Sequence, residues 1–249
     1  MVNACCGMLQ PHDSPEHGHT PGEVAARIAA PPGRGVLGDV VYGAIDGSVT
    51  TFAIVAGVAG AGLSPFIVLA LGFANVLADG FSMAVGNYSA TKAQADNLAR
   101  IREIEHRHID RYPDGERLEA REILRRKGLT GRVLEAATDA VTADRETWIA
   151  LMVEGEYGLG EVDPHPVRAA MATFAAFLCA GLVPLLPFVL LGEEAFRVSA
   201  ILTLCVFFAI GALKSRWALT PWWRSGGETL AIGGTAAALA YAVGLLFQM

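Results

Sequence analysis

Two apolar stretches of this chain carry side chains that hydrocarbon penalises. Gly43-Ala-Ile-Asp-Gly-Ser-Val-Thr-Thr-Phe-Ala-Ile-Val-Ala-Gly-Val-Ala-Gly60 holds Asp46, and Gly72-Phe-Ala-Asn-Val-Leu-Ala-Asp-Gly-Phe-Ser-Met-Ala-Val-Gly86 holds Asn75, Asp79 and Met83. A carboxylate near a bilayer centre costs at least ~2.5 kcal/mol on insertion scales, so such groups are rare unless something uses them. At about 100° per residue, Asp39, Asp46 and Thr50 fall within a ~40° arc, and Asn75, Asp79 and Met83, spaced four apart, fall within roughly 80° of one another. Each helix thus presents one narrow polar seam. Gly43-x-x-x-Gly47 brackets Asp46 with small residues that let a neighbouring helix come close, which sets the acid where helices meet. Carboxylate together with thioether favours a divalent transition metal such as Fe(II) over Mg or Ca. The seams predict the lining of a cation path; the plainer alternative is that these groups pair with each other and with backbone to hold the bundle together.

A second group of candidate ligands lies in the polar segment that follows. Past Tyr88 the pattern predicts that the helix runs on, with Leu98, Ile101, Glu105 and His108 recurring at i, i+3, i+7 and i+10. Two metal-capable side chains thereby continue an apolar stripe, facing inward where a charge needs a partner. Glu103 and His106 fall on roughly the opposite side and read as solvated. After a turn expected at Pro113-Asp-Gly115, Glu116 and Glu119 share a face with Ala120 and Ile123, and further on Trp148, Met152 and Glu156 are again four apart. Three amphipathic helices then point acids, one His and one Met towards a common interior, a donor set suited to divalent cations. Taken singly, each of these glutamates reads as an ordinary helix-surface residue.

These residues need a scaffold, and composition says which. A mean hydropathy of +0.40 with 53% hydrophobic residues places the chain among membrane proteins. Spans are predicted near 37–61, 65–90, 167–190, 195–213 and 229–247, each close to the ~20 residues needed to cross hydrocarbon. Pro184 and Pro187 should kink or end the third, and Ser225-Gly-Gly-Glu228 has the spacing of a capping box opening the fifth. Twelve of the 19 Lys and Arg lie between Lys92 and Asp163, so the positive-inside bias puts the N-terminus, the 91–166 segment and the 214–225 loop in the cytoplasm and the C-terminus outside. The expected fold is an all-α integral membrane protein of five transmembrane helices, with a cytoplasmic three-helix domain inserted between spans two and three. The organisation follows: a mobile His-containing tail over 1–35, spans one and two over 36–90, a metal-binding helical domain over 91–166, and spans three to five over 167–249.

Cys5, Cys6, Cys179 and Cys205 have no metal-ligand spacing, and no cleavable signal is visible at the N-terminus. His12, His17 and His19 could capture a metal, though a solvated tail explains them as well. Three lysines against sixteen arginines, with abundant Ala and Gly, point to a GC-rich bacterial genome and so to a plasma membrane. No nucleotide-binding loop is present, which argues against an ATP-driven pump, and no nucleic-acid partner is expected.

Taken together the motifs resemble the vacuolar iron transporter family, bacterial members included. Asp46-Gly-Ser-Val-Thr-Thr-Phe-Ala, Asp79-Gly-Phe-Ser-Met-Ala-Val-Gly-Asn-Tyr88, Trp148 through Leu159 and Gly181-Leu-Val-Pro-Leu-Leu-Pro-Phe188 match its hallmarks in order, over nearly the whole chain after about residue 36. The resemblance implies a homodimer of five-span subunits that exchanges protons for Fe(II) along the dimer interface, and a cytoplasmic domain that collects ions for the pore. By position it assigns Asp46 and Met83 to translocation, and Glu105, Glu116, Glu119, Met152 and Glu156 to the cytoplasmic ligands. Asn75 and His108 stand where plant members carry glutamate, and Asp79, one turn from Asn75, is placed to supply a carboxylate. Glu119 and Glu122 have the same spacing, so the register of the glutamate pair stays open.

The function expected from all this is a proton-coupled transporter of Fe(II), and of Mn(II), that exports the ion from the cytosol, with the lipid bilayer, protons and a second copy of the chain as its partners and no tightly bound cofactor. It is expected to be no enzyme. The rival is a membrane-anchored iron-binding protein or iron oxidase without transport, prompted by Glu105-x-x-His108, a motif that di-iron bundles use in pairs.

Overall fold

A computed structural model of the chain describes residues 19–29, 35–160, 165–191 and 194–248. The tail histidines His12 and His17, Cys5 and Cys6 lie outside the described residues. The chain divides into a unit up to Gly35 and a unit from Val36 onward. The first contains α1, Pro21–Ala29, whose start is closed by Thr20 donating to Glu23.

The described residues of the second unit form helices joined by short connections: α2 (Leu37–Gly60), α3 (Pro65–Arg111), α4 (Pro113–Arg126), α5 (Gly131–Thr142), α6 (Arg145–Gly155), α7 (Pro166–Leu182), α8 (Leu186–Leu190), α9 (Ala195–Lys214) and α10 (Trp222–Leu246). Among the described residues, five helical stretches are long and apolar enough to cross a membrane: α2, the first part of α3, α7 with α8, α9 and α10.

Small residues decide how closely these helices pack. A Cβ on Gly47 would come within 2.5 Å of the Phe177 carbonyl oxygen, and one on Gly43 would overlap the Thr173 carbonyl, so α2 lies against the backbone of α7 along the Gly43-x-x-x-Gly47 face. On α3, Val68, Gly72, Val76, Gly80 and Ala84 recur every four residues and are buried. Gly72 meets the Leu185 side chain and Gly80 the Phe177 ring. The tight α2–α3 connection turns on Gly62, whose φ of 68° is one that a side chain disfavours. As expected, the prolines break the third span: α7 gives way to a 3-10 turn at Val183–Leu185 and resumes as α8. The Pro184 carbonyl in that turn accepts from Ser199 Oγ of α9 at 2.6 Å, so the break leaves this oxygen satisfied in an apolar layer.

With 47 residues, α3 is one continuous helix. Its ~70 Å length is more than twice the ~30 Å hydrocarbon core, so its C-terminal half projects beyond any span. α4 and α6 pack against this projection and each other around Ile101, Ile109, Ala120, Trp148, Ile149, Met152 and Val153, and α5 packs on α4 and α6. Surface ion pairs set the register: Arg145 with Asp110 at 2.6 Å, Arg102 with Glu146 at 2.8 Å, Arg121 with Glu135 at 2.8 Å, and Arg117 with Asp139.

Two boundaries differ from expectation. Pro113-Asp-Gly115 is the first turn of α4; the chain reverses at Tyr112 alone, because proline disfavours helical backbone in the residue before it yet suits the first helical position itself. The fifth span begins at Trp222 after Pro221, so Ser225 lies inside α10, buried, and caps nothing. Trp222 packs edge-on against Phe208 and Trp223. The helix thus starts before the sequence turns apolar.

Candidate metal site

On α3, Glu105 lies in the same row as Ile101 and Ile109, which face the apolar cluster, and its side chain is fully buried. His108 lies at the edge of that row, 47% exposed. The one-residue reversal at Tyr112 lays α4 back along α3, so Glu116, in the first turn of α4 and 5% exposed, returns to the level of His108. Glu116 Oε1 is 3.3 Å from His108 Nδ1, and one donor atom from each of Glu105, His108 and Glu116 lies within 4.8 Å of the others. Tyr157 donates to Glu105 Oε1 at 3.0 Å, while Glu105 Oε2 and Glu116 Oε2 are buried with no hydrogen-bond partner. Buried carboxylate oxygens without partners are costly unless a proton or a cation joins them.

The electrostatics agree with the geometry. Burial and then the Glu105 carboxylate push Glu116 up to about 7, with Glu119 and Glu156 adding to the shift. Glu156 is raised as well, by burial first and then by Glu119 and Glu105. Four acids thus repel one another around a single imidazole, an arrangement that one divalent cation would relieve.

Glu119 and Glu156 sit at the outer edge, lining a groove of about 420 Å³ between α4 and the end of α6. Glu122 lines the same groove but is held by Arg125 at 2.6 Å and Arg126 at 3.2 Å, and these guanidinium bonds pull its carboxyl down to about 2. Met152 is fully buried among the apolar residues of the cluster. His106, with its side chain 35% exposed, accepts from Arg145 through Nδ1 at 3.1 Å, because α6 approaches that side of α3. Glu103 is exposed.

In the apolar part, the α2 and α3 seams face each other in antiparallel order. Asn75 Nδ2 donates to Thr50 Oγ1 at 3.5 Å, and Thr50 in turn donates to the Asp46 carbonyl at 2.8 Å. One turn along, Asp79 is near enough to Asp46 for the two charges to repel. Asn75, Asp79 and Met83 each precede a buried residue of the α3 packing stripe, which leaves all three half-buried, as is Asp46. The sequence reading passed over one member. Asn87, four residues beyond Met83, donates to Asp39 Oδ1 at 2.8 Å, and its place in the four-residue repeat was the available signal.

Fold and site together define an integral membrane protein, helical without strands among its described residues, with a cluster of side chains that could hold a metal ion on helices beyond its apolar body. The chain belongs to the VIT family, whose model matches residues 37–245. It is similar to "Vacuolar iron transporter 1" of Eucalyptus grandis, 34% identical over 216 residues that cover 86% of this chain and 87% of that one. It is also similar to the protein of the same name in Arabidopsis thaliana, at 32% with 86% of each chain covered, and to that of Oryza sativa subsp. japonica, at 31% with 95% and 90% covered.

Proposed function

We propose that this chain exports Fe(II), and Mn(II) with it, from the cytosol in exchange for protons. The observation that carries the reading is the pair of buried, unpartnered oxygens on Glu105 and Glu116 beside His108, joined by one unbroken helix to the Asn75, Asp79 and Met83 seam. The relatives' names supply the ion. In this reading Glu105, His108, Glu116, Glu119, Met152 and Glu156 gather the cation on the cytoplasmic side, with Glu119 rather than arginine-bound Glu122 completing the set. Asp46, Asp79 and Met83 then bind it within the membrane, and Asn75 orients Thr50 against Asp46.

Proton coupling follows from burial. A carboxylate that holds its proton in an apolar setting gives it up when metal arrives and regains it when metal leaves, so the two flows run in opposite directions. The concentration of Lys and Arg between residues 92 and 163 supports a cytoplasmic face for α4 to α6 and the N-terminus, with the C-terminus outside. Two copies with their α2 and α3 seams together would enclose the path, and a bacterial plasma membrane is the setting we assign. An iron oxidase is disfavoured, since the nearby Glu103-x-x-His106 has its imidazole committed to Arg145 and the relatives are named transporters.

The test is metal flux into proteoliposomes under an imposed pH difference. Wild-type protein should carry Fe(II) only with the gradient, and Asp46→Ala should reduce the flux to the level of empty vesicles. Normal flux in Asp46→Ala would exclude this site.

A further inference from the structure

Tyr157 is not among the ligands read from the sequence, yet it hydrogen-bonds one that is fully buried, Glu105. It follows Glu156 directly, just beyond the end of α6, and lies 52 residues from Glu105 in the chain. Its hydroxyl donates to Glu105 Oε1 at 3.0 Å, which leaves Oε2 of the same carboxylate buried and without a partner. With an ordinary phenol pKa near ~10, tyrosine is a donor at neutral pH. One oxygen of Glu105 is therefore engaged by Tyr157, and the other has no donor.

That asymmetry bears on which cation the cluster accepts. Ca²⁺ takes ~6–8 oxygens and gains much of that number from carboxylates that bind through both oxygens. A carboxylate whose one oxygen already accepts a hydrogen bond has a lone pair fewer for binding through both oxygens, which favours binding through the other, and His108 adds a nitrogen, which suits transition metals. Hydrogen bonds behind a ligand commonly change metal affinity ~10–100-fold when removed.

We propose that Tyr157 is a positioning and selectivity residue, holding Glu105 as a one-oxygen ligand so that the Glu105, His108 and Glu116 cluster takes a small transition-metal ion in preference to Ca²⁺. The proposal rests on the reading that this cluster binds the cation. Tyr157 acts through its hydrogen bond to Glu105. Tyr157 is 37% exposed, and Tyr157→Phe removes only the hydroxyl while keeping the packing of the ring.

The experiment is a titration of the full-length protein in detergent with Co(II), followed by visible absorption, with and without competing Ca²⁺, for wild type, Tyr157→Phe and Glu105→Gln. The component of the signal that Glu105→Gln removes reports the cluster. In Tyr157→Phe that component should show about a tenfold lower preference for Co(II) over Ca²⁺, together with a shifted Co(II) spectrum as Glu105 becomes free to bind through both oxygens. An unchanged preference and spectrum would overturn the role of Tyr157, and so would equal weakening of both ions with an unchanged spectrum, which is the mark of a purely structural contact. A wild-type titration that Glu105→Gln leaves unaltered would overturn the reading of the cluster itself.

Discussion

Asn87 of α3 donates to Asp39 of α2 at 2.8 Å and, through the same amide, to Thr173 of α7 at 2.7 Å. Its carbonyl accepts from Thr91 at 3.3 Å, so one side chain joins three helices where the apolar body meets the projecting half of α3. Both residues extend seams that carry Asp46 on one helix and Asp79 and Met83 on the other.

Replacing Asn87 by Ala should destabilise the protein by about 1–3 kcal/mol, because it leaves the half-buried Asp39 carboxylate and the buried Thr173 hydroxyl without this donor. Thermal unfolding in detergent is the measurement. Asn87→Asp should cost more, since it sets a second carboxylate against Asp39 where the amide donated.

Glu116, raised to about 7, makes metal binding depend on pH. Below that value the ion must displace a proton, so affinity should fall by about tenfold per pH unit for one coupled proton, and level off above it. Without metal the sign for stability is the reverse. The folded-state value lies above the ordinary carboxylate value, so the stabilisation is fully present below about 4.5 and is lost as pH rises through about 7. The metal-free protein should therefore melt lower at pH 8 than at pH 5, and Glu116→Gln should flatten that difference.

Glu119 and Glu122 are one turn apart on α4 and are separated by their partners. Glu119→Gln should weaken metal binding, measured by calorimetry on the whole protein, whereas Glu122→Gln should change it by less than about twofold, since it removes only an exposed arginine pair.

Gly47→Leu should disrupt the apolar body, because the new side chain points into the backbone of Phe177. Overpacking of this kind costs about 1–3 kcal/mol or more, and here the obstacle is main chain that cannot rotate away. Loss of a monodisperse peak on size exclusion should follow, while Gly227→Ala, with open space around it on α10, should behave as wild type.

Much of this was legible along the chain. Hydropathy locates five apolar helices, and a repeat of four residues puts Asn75, Asp79 and Met83 on one line and Glu105 on the inward side of α3, because helical geometry fixes the face of each residue relative to its neighbours. The prolines at 184 and 187 mark a break for the same local reason, the lost amide hydrogens.

What periodicity cannot supply is distance between helices. That Glu116 meets His108, that Tyr157 reaches Glu105 and that Arg145 claims His106 depend on the chain reversing within the single residue Tyr112 and on how α6 docks against α3. The packing of Trp222 on Phe208 at the early start of α10 is likewise a contact between distant positions. The order of amino acids determined which side chains could share a helix face; only the packing of one helix on another decided which of those faces meet, since contact between residues tens of positions apart is a property of the folded chain as a whole.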